Sequence, residues 1–392
     1  MGWKVSGVMD QRSQFVFRAM DPTSSIAALC REFGISRKTG YKWISRYKEH
    51  GRAGLNDLSR RPKTFPNATA PEVVLEIVHQ RVTHPTWGPK KIHAVLMRCY
   101  PKRDVPARST IARILKLGGF VDSPSRRRKK GGTDRRKIVS PSAPNDLWTV
   151  DYKGWWRTRD GARCDPLTVR DEQSRYILDI RATASNTYRA VRDAFENIFE
   201  RNGLPKAILT DNGVPFAASY SLAKLTRLSA WWKALGIEVV RIDPGRPQQN
   251  GAHERMHRDI RAELERYQAR DIPSQQAAFD DWRYEFNVER PHEALEMRTP
   301  AEVYRTSTRL YTGKPPLVDY PDDFVVRTVS SKGFVRWRKN RRFLSDSLTG
   351  WPVGFQLGGD NTLSIWFTDL CLGVTDAAFR RPLAPRDSIQ LD

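Results

Sequence analysis

Beyond residue 145 the hydrophobic pattern alternates between two periods. Strand-like apolar runs at about 147–157, 163–170, 175–182, 206–210 and 237–242 are interleaved with helically spaced stretches at 187–202, 221–235 and 253–269. Three strands followed by alternating helix and strand predict a mixed α/β layout. Upstream the pattern is helical. Residues 24–33 set Ile26, Ala27, Leu29 and Cys30 on one face, Gly34 and Ile35 interrupt, and 36–47 resume with Ser36 as N-cap, which is a helix-turn-helix pattern. After a linker at 57–70, helices predicted at 71–81, 90–100 and 109–117 form a second module, its last helix capped by Ser109. Toward the end, short β-prone pieces at 324–329, 333–337, 342–344, 353–357 and 362–367 predict a small barrel or sandwich.

The chain is therefore read as multidomain: N-terminal all-α helix-turn-helix modules at 1–60 and 71–122, the second winged-helix-like, a basic linker at 123–141, a central α/β core at 142–305, and a small C-terminal all-β, barrel-like domain at 322–376. The length of 392 residues fits several modules better than one. With 39% hydrophobic and 10% aromatic residues there is enough apolar surface for real cores. No run approaches the roughly 20 apolar residues that cross a bilayer, and no signal-peptide segment is evident, so no membrane association and a cytoplasmic location are expected. Four scattered cysteines form no C-x-x-C pair, and His79, His84, His93 and Cys99 match no zinc spacing.

Charge changes the picture more than composition does. The net charge is +23, and residues 1–141 alone hold 30 Lys and Arg against 10 Asp and Glu, a net +20. A polycation of this kind favours phosphate backbones through counterion release, although an anionic membrane surface would attract it too. The candidate contacts are Arg37, Lys38, Lys42 and Arg46 on the second helix of the first module, and Lys90, Lys91, Arg108, Arg113 and Lys116 in the second. Arg126, Arg127, Arg128, Lys129 and Lys130 in the linker and Arg336 and Arg338 beside Trp337 join them. Each group also has the plainer reading of a solvated basic face. Gly40 inside the presumed reading helix predicts a short or kinked helix, since glycine costs about 1 kcal/mol there relative to alanine.

Three acids carry the candidate chemistry. Asp151 interrupts the apolar run Leu147-Trp148-Thr149-Val150, Asp211 ends Ala207-Ile208-Leu209-Thr210 before the turn signal Asn212-Gly213, and Glu254 follows a Pro/Gly-rich loop to stand in the first turn of a helix. Both aspartates are placed on strands. Phosphodiester chemistry needs a nucleophilic oxygen and relief of charge on the attacked phosphate and the leaving oxygen, which two divalent ions roughly 3.5–4 Å apart supply. Such hard cations take oxygen ligands, and water and phosphate complete their shells. Asp151 would bridge both ions, with Asp211 and Glu254 each completing one. Singly, each acid has a simpler explanation as a satisfied strand polar group, a turn former or a first-turn helix acid.

The stretches Trp148-Thr149-Val150-Asp151, Leu209-Thr210-Asp211-Asn212-Gly213-Val214-Pro215-Phe216, the run from Pro247 to Arg258 and Phe286-Asn287-Val288-Glu289-Arg290-Pro291-His292 with Thr299-Pro300-Ala301 resemble the DDE transposases of bacterial insertion sequences, which share a retroviral-integrase-type catalytic core. His84 to Ile92 and Ser109 to Leu115 are similar to the second helix-turn-helix unit of such enzymes. The resemblance implies an RNase H-like core, Asp151, Asp211 and Glu254 as catalytic and metal-holding residues, and two Mg²⁺ per site with Mn²⁺ as substitute. It implies hydrolysis at element ends to free 3′ hydroxyls, and attack by those hydroxyls on target DNA. The partners implied are double-stranded DNA at element ends and target, with a homo-oligomer, dimer or tetramer, on the DNA, in a bacterial, nucleoid-associated setting. The interval from Asp211 to Glu254 is longer than is usual for the triad, and the excess is assigned to 217–235. Asn212, Gln249, Asn250, His253, His257 and Arg258 are candidates for positioning the scissile strand, Arg258 foremost, because His257 and Arg258 share a helical face with Glu254. Two rivals stay open: an RNase H-like nuclease that cuts without joining, and a DNA-binding regulator with a decayed core.

Overall fold

In the computed structural model, residues 7–58, 68–101, 105–121, 140–185, 187–217, 222–243, 250–265, 267–359 and 361–384 are described below. The basic linker and its Arg126, Arg127, Arg128, Lys129 and Lys130 lie outside them, as does Gln249. The chain divides into two compact units, 1–70 and 71–392.

The first unit is three helices, α1 (Val8–Ala19), α2 (Ile26–Glu32) and α3 (Arg37–His50), closed by a tight turn at Gly51–Leu55. Ser25 and Ser36 accept from the amides of Ala28 and Thr39, which starts α2 and α3 where the capping rule puts them. Phe15, Val16, Leu29, Cys30, Trp43, Ile44 and Leu55 form its core. Helix α1 was not expected, because exposed Val8 and Phe17 blur its apolar stripe. The expected weakness at Gly40 is absent: α3 runs unbroken for 14 residues. A Cβ at Gly40 would lie 2.6 Å from Cys30 Sγ and 2.9 Å from the Phe15 ring, so the glycine is what lets three helices meet.

The second unit opens with α4 (Pro71–Thr83), α5 (Pro89–Cys99) and α6 (Arg108–Leu117), packed around Ile77, Trp87, Ile92, Leu96, Ile111 and Leu115. Ser109 does not cap α6. The cap position belongs to Ala107, with no side-chain bond, and Ser109 lies inside the first turn.

Behind them stands a sheet of β1 (Leu147–Tyr152), β2 (Trp156–Arg157), β3 (Arg163–Asp171), β4 (Ile177–Thr183), β5 (Ala207–Thr210) and β6 (Glu238–Arg241). The single strand expected at 147–157 breaks at Lys153–Trp155, where Gly154 takes φ +91°, and β2 then pairs with β3 again. Strand β3 lies antiparallel to β1 and β4, while β5 pairs parallel with β1 and β6. Helices cover both faces. On one, α7 (Tyr188–Asn202) and α8 (Arg227–Ala234) bury Phe195, Phe199, Trp231 and Trp232 against Trp148, Val150, Val169 and Ile208. On the other, α9 (Gly251–Ile260) and α10 (Ile272–Tyr284) bury Met256, Ile260, Phe279 and Trp282 against Ile177 and Ile180. Helix α9 does not continue to residue 269, because it widens into a π-type turn at Arg261–Glu265. A second such turn, Glu285–Glu289, follows α10, and the short α11 (Pro300–Val303) ends the helical part.

The C-terminal strands β7 (Val325–Thr328), β8 (Phe334–Trp337), β9 (Asn340–Phe343), β10 (Pro352–Leu357), β11 (Thr362–Phe367) and β12 (Leu370–Asp376) form a four-stranded antiparallel sheet, β12-β11-β10-β7, and a β8-β9 hairpin. Strand β12 was not expected. Their shared core also contains Leu225, Ala230 and Ala234, so the segment assigned as excess between Asp211 and Glu254 is used: one face of α8 fills the central core and the other the C-terminal one. Trp337 is buried there and donates to the Ala377 carbonyl, so it is not a presented aromatic, whereas Arg336 and Arg338 beside it are exposed.

Candidate active site

Side chains alternate along β1, so Trp148 and Val150 enter the α7–α8 core while Thr149 and Asp151 face α9. The parallel register pairs Thr149 with Leu209, so Asp151 and Asp211 each lie two residues beyond the last pair, and the charge of Asp211 acts on Asp151. Asp211 is not on the strand but is the first residue past β5, and its Oδ1 accepts from the Gly213 amide at 3.1 Å. A Cβ at Gly213 would sit 3.0 Å from the same carboxylate, so a larger residue there would press on the Asp211 side chain. Asn212, expected to help position the scissile strand, is exposed and engaged by the sheet. Its Nδ2 donates to the Ile242 carbonyl at 2.9 Å and ties the turn to the end of β6.

The third acid, Glu254, stands exposed in the first turn of α9. Its neighbours on that helix are held to the sheet. Thr149 Oγ1 lies 2.8 Å from His253 Nδ1, and Thr168 Oγ1 lies 2.6 Å from His253 Nε2 and 2.8 Å from His257 Nε2. These histidines were expected to position phosphates or the scissile strand; His253 is buried and His257 half-buried, and their inward bonds fasten the helix to the sheet. Arg258 faces outward, lining a surface cleft with Asp259, Arg261, Ala262 and Glu265. Thr149 and Thr168 were missed at the sequence level, although the Thr-x-Asp alternation and the His pair at i and i+4 were visible.

The electrostatics report one shared field. Burial, then the negative charge of Asp211, pushes the Asp151 carboxyl up to about 7 from an ordinary 3.8, against an opposing donation from the Tyr152 amide and with a smaller push from Glu254. Burial, then the cations Lys153 and Arg170, hold His257 down to about 3. Its Nδ1, 4.0 Å from Asp151 Oδ2, is therefore a neutral neighbour and not an ion-pair partner. Among the described residues no three His, Cys, Asp or Glu side chains stand close enough together to enclose a metal ion. The donor chemistry of Asp151, Asp211 and Glu254 nonetheless suits a hard divalent cation, which takes oxygen donors, and burial, then the charge of Asp211, keeps Asp151 partly protonated near neutrality.

Two integrase core domain models match residues 141–247 and 235–300, the first containing Asp151 and Asp211 and the second Glu254. A helix-turn-helix domain model matches 11–63 and a homeodomain-like domain model 39–115. The 39.2 kDa protein of insertion element IS476 from Xanthomonas euvesicatoria is 26% identical over 65% of this chain and 71% of its own. The 31.7 kDa protein of insertion element IS407 from Burkholderia multivorans is 28% identical over 58% and 78%. Residues 141–300 are thus matched by integrase core models, and the chain is similar to insertion-element proteins. Among solved structures, the HTLV-2 integrase catalytic core in complex with magnesium aligns with a TM-score of 0.33 at 17% identity, covering 43% of this chain and all of that one. The simian T-cell lymphotropic virus intasome aligns at 0.38 and 14%, covering 78% of this chain and all of that one. Within the region matched by the helix-turn-helix model, α3 exposes Arg37, Lys38 and Lys42, while Arg46 is half-buried and donates to the Asn56 carbonyl. No helix among the described residues is long and apolar enough to cross a membrane.

Proposed function

We propose that the chain is a DNA transposase that binds the inverted repeats at element ends, frees their 3′ hydroxyls by metal-dependent hydrolysis and joins them to target DNA. The observation that carries this reading is that Asp151 and Asp211 follow the last paired residues of adjoining parallel strands, with the charges of Asp211 and Glu254 acting on Asp151 and the helix of Glu254 fastened to the sheet. A pair of Mg²⁺ or Mn²⁺ ions, held by Asp151, Asp211 and Glu254, would supply charge neutralisation at the phosphate and the entering and leaving oxygens.

The chain's own residues do the rest. The exposed basic side chains of α3, with Arg113 and Lys116 on α6, hold the duplex by its phosphates. The buried floor of Thr149, Thr168 and His253 keeps Asp151 oriented and excludes water beneath it. In joining, the freed 3′ oxygen bonds to a target phosphorus as that strand's own P–O3′ bond breaks, so one phosphodiester replaces another. Two element ends call for at least two copies of the chain on the DNA.

A labelled element end, Mg²⁺ and a plasmid test the reading. Joined product is expected from the parent, and Asp151→Asn, Asp211→Asn or Glu254→Gln should each reduce it by more than 100-fold while retaining end binding. Cleavage without joining would replace the proposal with a nuclease. Joining by Asp151→Asn at the parent's level would leave only a DNA-binding role.

A further inference from the structure

We propose that Thr168 is the positioning residue that sets α9, and with it Glu254, against the strand carrying Asp151. The inference rests on the reading above and assigns a role to a residue outside the triad. Thr168 on β3 stands directly opposite Asp151 in the antiparallel register and is completely buried. A hydroxyl has one hydrogen and two acceptor lone pairs. That hydrogen goes to the Asp151 main-chain carbonyl at 2.9 Å. The two remaining contacts, to His253 Nε2 at 2.6 Å and His257 Nε2 at 2.8 Å, must then be bonds the imidazoles donate. Both rings thus carry their hydrogen on Nε2, which leaves His253 Nδ1 to accept from Thr149 Oγ1 at 2.8 Å.

One oxygen is therefore saturated by three groups from two elements. His253 and His257 are four residues apart, one above the other on the inner face of α9, and Glu254 lies between them in sequence on the exposed side. Fixing both rings to one point restrains the helix against sliding or rolling, and with it the backbone position of Glu254 relative to β1. Without the hydroxyl, two buried N–H donors lose their acceptor together, and the cheapest relief is for α9 to lift from the sheet.

Thr168→Val keeps the shape and removes the hydroxyl; Thr168→Ser restores it. With full-length protein, Mn²⁺ affinity is read by electron paramagnetic resonance titration and the seating of α9 by hydrogen exchange of its amides. Thr168→Val is expected to weaken Mn²⁺ binding by roughly 10–100-fold, as losing a partner that orients ligands commonly does. It should raise exchange across α9 and leave α1–α3 and end-DNA affinity unchanged, and Thr168→Ser should recover to within about threefold. Parent-like Mn²⁺ affinity and α9 protection in Thr168→Val would overturn the proposal, as would a Thr168→Ser variant as impaired as the valine. Should Thr168→Val not fold, Thr149→Val removes the donor to His253 alone and must raise α9 exchange in the same direction. If Asp151→Asn leaves Mn²⁺ affinity untouched, the triad reading fails, while α9 exchange still decides the role of Thr168.

Discussion

The two N-terminal helical modules share a plan, three short helices around an aromatic-aliphatic core with basic residues on the later helices, yet their charges meet opposite fates. In the first, Arg37, Lys38, Tyr41 and Lys42 of α3 are open to solvent. In the second, Lys90 pairs with Glu293, Arg98 donates to Met297 O and Glu302 at 2.6 and 3.1 Å, and Trp87 Nε1 donates to Glu285 at 3.0 Å. Lys91 lies in the field of Arg290, Asp259, Glu285 and Glu263, and burial holds its ammonium below the ordinary range. Helix α5 thus docks against the integrase core, whereas α6 of the same module presents Arg108, Arg113 and Lys116 exposed. A count of charge along a segment does not say whether the partner is a phosphate or the chain's own carboxylates.

The sharpest break in that comparison comes at Arg290. Its guanidinium, 3% exposed, reaches Glu285 and Glu263 at 2.7 Å each, joining the π-type turns after α9 and α10 directly beneath Trp87. Arg290→Ala strands two largely buried carboxylates, which costs about 3–5 kcal/mol. Calorimetry and hydrogen exchange should show the 71–392 unit, α4–α6 included, melting earlier, with α1–α3 unmoved. If α4–α6 keep their protection while the core loses its own, the docking account is wrong.

Asp151 separates the two units by pH. Its folded-state carboxyl, raised to about 7 from 3.8, binds a proton that the unfolded chain has released, so the penalty is absent below about pH 4 and complete above about pH 7. The buried His253 and His257 act in the opposite sense below 6.5, so the parent's own curve mixes the two effects. The difference between parent and Asp151→Asn isolates the carboxyl. In chelator, the variant should gain on the parent as pH rises from 4 to 7 and then level off, by on the order of 3 kcal/mol, in the second unit's transition only. A gain that shrinks with rising pH would contradict the shared field of the three acids.

Much of this was legible in the sequence, for reasons that also mark its limits. Strong periodicity placed β1, β3, β4, α7 and β5 within a few residues, and turn chemistry placed the acids. What failed depended on partners far away in the chain. Helix α9 ends early because Glu263 is drawn to Arg290 and Trp282, and Glu265 to Lys153. His253 and His257 look like substrate ligands until Thr168, 85 and 89 residues away, is seen beneath them. Strand β12 contains Gly373 at φ +147° and a polar end, which weakens its β signal. Gly40 misled for the same reason: its propensity cost is local, but its compensation is contact with Phe15 and Cys30. Gly40→Ala should accordingly destabilise α1–α3 by about 1–2 kcal/mol, the overpacking cost outweighing the gain in helix propensity, while the second unit's transition stays in place.

The smallest expected effect discriminates the modules most directly. Each phosphate contact made by a cation contributes about 0.9 to the slope of log affinity against log salt, because that many counterions are released from the duplex. Lys38 stands exposed on α3, so Lys38→Ala should lower the slope for end DNA by about 1 and weaken binding uniformly across sequences. Lys90 already spends its charge on Glu293, a pairing that DNA must break before it can recruit the ammonium, so Lys90→Ala should leave the slope unchanged. Binding measured from 50 to 200 mM salt reads both. Equal loss from the two variants would mean that α5 leaves the core to meet DNA, and that its docked position is one state of a module that moves.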